Sequence, residues 1–301
     1  MIANKEIFVS TAPFLKRHAL YSALVAAGIA APALAGPQGG SVVAGSAQIR
    51  SNGTQTDIVQ ATPRAVIDWR RFDIGAGESV NFRQPDAASV TLNRVTGSQV
   101  SQIDGALSAN GQVILLNPNG VLFGAGARVD TAGLVVSTAS LATADFMAGG
   151  RLSFTPSGPT GASIVNRGTI TVRDGGLAAF VAPHVRNEGL IHARLGRVIL
   201  ASGAQFTLDL AGDGLLDLAI RESDLANLRD VEGKPVAALV ENTGQIVSPS
   251  GRTLVVTPEI ARSLVDNAIN LGGTVRADAI ATGPAGEIVL MAKSGAVNLT
   301  G

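Results

Sequence analysis

A short pattern recurs along the second half of this chain, and its spacing is the strongest constraint on what the chain can fold into. It reads Asn166-Arg167-Gly168-Thr169-Ile170, then Asn187-Glu188-Gly189-Leu190-Ile191, then Asn242-Thr243-Gly244-Gln245-Ile246, with a looser copy from Asn270 to Val275. About ten residues after each copy comes a glycine followed by an apolar run: Gly176 to Val181, Gly196 to Leu200, Gly251 to Val256 and Gly286 to Leu290. Gly111 to Leu115 fits the same template. The first two Asn-x-Gly units lie 21 residues apart, roughly the length of one coil of a parallel β-helix. In such a coil two or three short strands are joined by bends, and each strand pairs with its counterpart one turn away. Val, Ile and Leu then stack in columns inside, and Gly and Asn take the bends because they tolerate left-handed dihedrals. A single coil cannot bury its own apolar face, so stacking is obligatory. The length predicts about a dozen coils and a rod of roughly 60 Å.

Composition agrees. Apolar residues make up 46% of the 301 residues but aromatics only 4%, and there are 36 glycines. The core must therefore be aliphatic, with many turns, which favours β-structure over a helical bundle. Lys and Arg number 23, as do Asp and Glu, so no charge imbalance points to nucleic acid or to an anionic membrane. Cysteine is absent, which excludes disulfides and thiolate metal sites. It also suits a chain that crosses an oxidising compartment and must thread a narrow pore.

Residues 1–35 read as a signal peptide. Lys16, Arg17 and His18 end a basic segment, Ala19 to Ala31 is a short apolar run, and Ala33-Leu34-Ala35 is a small-x-small cleavage site before Gly36. The apolar run falls short of the ~20 residues that span a bilayer. Residues 36–301 are expected to form one solenoid domain that continues past Gly301 in a longer protein. Three stretches break the strand pattern with helix-compatible spacing: Leu141 to Met147, Glu222 to Arg229 and Pro258 to Ile269. Phe206 to Ile220 alternates around Gly212-Asp213-Gly214 and predicts a hairpin packed outside the solenoid.

Asn117-Pro118-Asn119-Gly120 lies between two apolar strands. It suits a type I turn: Asn can bond the backbone two residues on, Pro presets φ at the second position, and Gly accepts a left-handed conformation at the fourth. Before it come Trp69 to Gly75, Val80-Asn81-Phe82, Asn93-Arg94-Val95-Thr96 and Ile103-Asp104-Gly105; after it come Leu122-Phe123-Gly124 and Gly133-Leu134. This ordered set resembles the amino-terminal two-partner secretion (TPS) domain of the filamentous haemagglutinin family, which includes the high-molecular-weight adhesins.

The resemblance implies an all-β fold, a right-handed, single-stranded parallel β-helix with an N-terminal cap and extra-helical hairpins. It implies export by the Sec machinery with cleavage by signal peptidase, then recognition by a TpsB-type outer-membrane transporter with POTRA domains. The chain would fold outside a Gram-negative cell, secreted or on its surface, with host-cell receptors or glycans as further partners. In that family the turn and the asparagine before Arg-Val-Thr are required for secretion; they map onto Asn117, Pro118, Asn119, Gly120 and Asn93. Whether they touch the transporter or stabilise the fold is open in the sequence. Trp69, with Phe72 and Phe82, is expected to cap the N-terminal end of the solenoid, with sugar stacking as the lesser alternative.

No catalytic residue, cofactor or metal site is expected. His184 and His192 lack a neighbouring Ser or Asp arrangement. Asp209, Asp213 and Asp217 lack the EF-hand pattern. Gly124-Ala125-Gly126 lacks the third glycine of a dinucleotide loop. Asn52-Gly53-Thr54 and Asn298-Leu299-Thr300 fit a glycosylation sequon. Two alternatives stand beside the secreted adhesin-like exoprotein. A β-helical polysaccharide-active enzyme needs paired carboxylates or a calcium–basic cluster, for which Asp209 to Asp217 are the faint candidates. The passenger of a monomeric autotransporter needs a membrane barrel in the same chain.

Overall fold

The computed structural model describes residues 36–158, 161–210, 214–220, 225, 228–258, 267–279, 286–292 and 296–300. They lie in one compact unit, Leu34–Gly301. The chain winds through three sheets in a fixed order. Sheet I stacks Arg64–Trp69, Val90–Val95, Gln112–Leu116, Gly133–Ser137, Leu177–Ala182, Arg197–Ser202, Arg252–Thr257 and Glu287–Ala292, each parallel to the next. Sheet II stacks Ser101–Ile103, Val121–Phe123, Ser163–Asn166, His184–Asn187, Ala238–Asn242, Asn267–Leu271 and Ala296–Leu299. Sheet III begins with Gln55–Gln60 and Ser79–Arg83 and ends with Gln245–Val247 and Thr274–Arg276, again all parallel. The molecule is a parallel β-helix.

Register turns the sequence repeat into columns. Ile67, Asn93, Leu115, Val136, Phe180, Leu200, Val255 and Leu290 follow one another up the inner side of sheet I. All but Asn93 belong to or pack against the central core. On the outer side of the same sheet Val66, Leu92, Ile114, Val135, Ala179, Ile199 and Leu254 form part of a second core. Sheet I is thus buried on both faces, which is why its strands read as unbroken apolar runs. Sheet III alternates instead: Ile170 and Val172 point inward and are buried, while Thr171 between them is partly exposed.

The second core is closed by an antiparallel sheet of Ser140–Leu141, Leu152–Thr155, Gln205–Asp209 and Gly214–Ala219, with the helix Thr143–Ala148. Phe154 and Phe206 stack at 4.2 Å within it. The hairpin expected over Phe206 to Ile220 is therefore present and lies outside the solenoid. At the first edge, Ser41–Ala44 and Ala47–Asn52 pair antiparallel with Arg64–Trp69 and Gln55–Gln60. These strands finish two sheet edges that would otherwise offer free N–H and C=O groups.

Several expectations need correction. Among the described residues sheet I has eight parallel strands rather than a dozen, so that stack is about 34 Å long at 4.8 Å per step. The 21-residue spacing holds only where coils are plain. From Leu134 to its partner Ala178, and from Arg197 to Arg252, the chain makes excursions. The helix expected from Leu141 begins at Thr143, Leu141 being in a strand. Of Pro258 to Ile269, residues 259–266 lie outside the described set, and Asn267 to Ile269 are strand because they pair with sheet II. Of Glu222 to Arg229, only Leu225, Leu228 and Arg229 are described; Leu225 is helical as expected, whereas Arg229 bridges Pro235 in antiparallel fashion. In the fourth repeat the asparagine column is taken by Leu271, not Asn270, because Asn242 pairs with Leu271.

Candidate functional site

Asn93 sits in the strand Val90–Val95 with no exposed surface. Its Oδ1 accepts the indole N–H of Trp69 at 3.0 Å, and its Nδ2 donates to the carbonyls of Thr91 and Ile114 at 3.4 Å. A buried indole N–H needs an acceptor. An amide supplies one and uses its own N–H groups on Thr91 of the same strand and Ile114 of the next.

The Asn117–Gly120 segment is a closed turn, Gly120 N–H donating to Asn117 C=O at 3.0 Å. Asn117 is fully buried. Its Oδ1 accepts from the backbone N–H of Asn119 at 2.9 Å and from Asn119 Nδ2 at 3.0 Å. Its Nδ2 donates to Gln99 C=O and Ser101 Oγ. Asn119 Nδ2 also donates to Gly97 C=O at 2.9 Å. Gly120 has φ +110, and a Cβ there would come within 2.7 Å of Ser163 O and 3.1 Å of Val231 Cγ1. Pro118 is half-buried against Gly158. The turn is thus tied back to the connection before sheet II, and each member has a physical task.

The same stretch carries a fastening that sequence reasoning missed. Arg94 makes a two-point bond to Asp68, at 2.7 and 3.1 Å, and donates to Leu141 C=O and Thr143 Oγ1 at the start of the short helix. Arg64 donates to Phe146 C=O at its end and lies 5.2 Å over the Phe146 ring. Arg94, Val95 and Thr96 meet Leu116, Pro118 and Ala139 around a cleft of about 230 Å³. No local signal in the sequence joins residues so far apart.

Trp69, Phe72 and Phe82 are buried in the central core, Trp69 and Phe72 edge to face at 5.5 Å. A Cβ on Gly40 would lie 2.5 Å from the Trp69 ring, so the chain leading into the antiparallel strands covers the indole directly. With 1% of its surface exposed, Trp69 offers no face to a sugar. Gly36 is partly exposed at the start of the described residues; Ala33 and Ala35 lie outside them.

A second buried polar system runs between sheets II and III. Asn166 Nδ2 donates to Asn187 Oδ1, and Asn187 Nδ2 to Asn242 Oδ1, each at 2.7 Å. This ladder is the structural meaning of the sequence repeat. His184, fully buried, lies 3.2 Å from Glu241. Burial raises the Glu241 pKa, but the His184 hydrogen bond and the nearby Arg186 outweigh it and hold the carboxyl below its ordinary value. His192 is on the outer side of sheet III, Asp209 and Asp217 are on the extra-helical hairpin, and Asp213 lies outside the described residues. Among the described residues no group of His, Asp and Glu has the arrangement of a metal site.

The model of the TPS secretion domain family matches residues 33–292. The heme/hemopexin-binding protein of Haemophilus influenzae strain Rd is 39% identical over 204 residues, covering 65% of this chain and 22% of that protein. A second heme/hemopexin-binding protein from Haemophilus influenzae is 43% identical over 106 residues, 35% of this chain and 11% of that one. The chain thus spans about a fifth or less of the curated relatives it matches. Among solved structures, the HMW1 secretion domain from Haemophilus influenzae superposes with a TM-score of 0.75 at 31% identity, covering 88% of this chain and 65% of that one.

Proposed function

The chain belongs to the TPS secretion domain family, and from that membership we propose that Asn93 and the Asn117–Gly120 turn serve export before folding and the fold afterwards. Such domains direct the export of exoproteins to the outside of Gram-negative bacteria, with an outer-membrane TpsB transporter as partner. The proposal concerns how. The transporter's periplasmic POTRA domains engage the segment around residues 93–120 while it is extended, after Sec export and removal of residues 1–35. As coils form outside, the same side chains turn inward. The observation that carries this reading is burial. Asn93 and Asn117 have no exposed surface, and their amides are spent on internal hydrogen bonds. In the folded state they offer a partner nothing, so their recognition belongs to the unfolded chain. The Trp69, Phe72 and Phe82 cluster closes the first coil beneath the antiparallel strands and gives later coils a template.

Replacing Asn117 and Gly120 together by Ala is expected to lower the protein in the culture medium several-fold, the scale on which lost stability alters cellular abundance. Undiminished secretion would sink the role of the turn. Refolding of the purified variant separates the two halves of the proposal: normal refolding with poor secretion assigns the turn to recognition.

Work at the surface is a finer proposal. We infer an adhesin- or haemagglutinin-like exoprotein, and similarity to heme/hemopexin-binding proteins of Haemophilus influenzae favours capture of heme or its carrier as the second reading. Binding of the secreted protein to erythrocytes, set against a heme titration, separates them.

A further inference from the structure

The excursion between Arg197–Ser202 and Arg252–Thr257 carries a preformed knob. Asp230 and Lys234 exchange backbone hydrogen bonds with their neighbours: Asp230 N–H donates to Lys234 C=O, and Gly233 N–H to Asp230 C=O, both at 2.9 Å. The Asp230 carboxylate accepts from the backbone N–H groups of Glu232 and Lys234. Leu225 and Leu228 anchor the base against Leu239 on the outer side of sheet II.

The tip of this knob has two fixed seats. Glu232 takes both η nitrogens of Arg167, at 2.8 and 2.7 Å, and Arg167 Nε is held in turn by Glu188. Arg186 bridges Glu188, Asp230 and Glu241. Beside Glu232, Val231 presses on Gly120, the last residue of the secretion turn: a Cβ on Gly120 would lie 3.1 Å from Val231 Cγ1. Every cation of the seat precedes the knob in the chain, and the turn precedes it by about 110 residues.

We propose that the Asp230–Lys234 knob is the cover of the secretion turn, seated on arginines that are already in place when it arrives. Ser163 of the following coil closes on Gly120 first, and the knob then adds Val231 to that cover. The inference rests on the export reading above and adds a locking step after it: the seated knob keeps the folded Asn117–Gly120 turn from reopening and slipping back to the partner. Two forked hydrogen bonds to one carboxylate give the seat direction as well as attraction. The knob's own hydrogen bonds all lie within Asp230–Lys234, so they do not depend on its seat, and little ordering is left to oppose closure.

The test is amide hydrogen exchange on the purified full chain, with the variants Glu232→Gln and Val231→Gly. The first weakens the seat and keeps its shape; the second removes the contact on Gly120 and leaves the ion pairs. Both are expected to speed exchange over residues 117–123 by about tenfold or more while sheet I strands such as Leu177–Ala182 hold their rate. No change over 117–123 in both variants would overturn the cover, as would an equal increase throughout the solenoid. In cells, a photo-crosslinking residue at position 119 should capture more transporter in Glu232→Gln than in the parent, because the turn reopens more often; equal capture overturns the locking step. Failure of the exchange result leaves the export reading standing, since that rests on secretion of the turn variants.

Discussion

Asn93 occupies an aliphatic column because one neighbour, Trp69, brings an N–H group into the core. The residue scale therefore predicts an asymmetry. Asn93→Ala and Asn93→Leu should each destabilise the domain by about 1–3 kcal/mol, the cost of leaving a buried donor without an acceptor. Adding Trp69→Phe to Asn93→Leu should recover part of that loss, since the orphaned donor goes with it. Urea unfolding of the three variants checks this; a double variant no better than the sum of its parts refutes the pairing. Glu232 gives a second residue-scale prediction. Its hydrogen bonds to Arg167 and then Lys234 hold its pKa down to about 2, from an ordinary value of 4.5. A folded pKa depressed in this way means a contribution fully present above about pH 4.5 and lost as pH falls through about 2. Exchange protection at Gly120 should follow that fall and stay flat from pH 5 to 8. In the sequence, Asn93 stands out only through the family resemblance. The sequence does not display the indole that explains it, 24 residues away.

At the scale of the element, glycine columns decide how closely the coils stack. Gly168, Gly189, Gly244 and Gly273 follow one another, and a Cβ on any of the last three would lie 2.1–2.2 Å from the preceding glycine's carbonyl oxygen. That approach, more than backbone freedom, is what the glycine in Asn-x-Gly supplies. Gly189→Ala should therefore cost at least about 1–3 kcal/mol, as overpacking does, read as a lower urea midpoint with an unchanged slope. A midpoint within error of the parent would show that the coils can spread. The repeat was legible because it is local: each Asn and Gly serves the same bend in its own coil. The two excursions were half legible. Alternation around Gly212 to Gly214 marks a hairpin, but nothing in those residues says which face of the solenoid it covers. The answer came from sheet I, whose outer side is as apolar as its inner side and needs a lid.

Across the whole molecule, seven or eight parallel strands per stack among the described residues replace the dozen expected, because the chain spends residues on the extra-helical sheet and the knob. Those additions cover faces of the solenoid that bare coils would leave wet. If export begins with removal of residues 1–35, Edman sequencing of the secreted protein should start at Gly36; a start elsewhere would move the cleavage site. By itself the sequence determined the coil. A recurring pattern of Asn-x-Gly bends and glycine-led aliphatic runs, in a chain rich in glycine and lacking cysteine, has one economical way to bury its side chains, which is to stack. Turn chemistry marked Asn117–Gly120, and the family resemblance marked Asn93. Only the tertiary structure decided what these residues touch: Trp69 for Asn93, Ser101 and Gln99 for Asn117, Val231 for Gly120. Periodicity along a chain fixes which residues share a column, whereas the partners of an irregular excursion depend on where its ends are carried, and no local pattern records that.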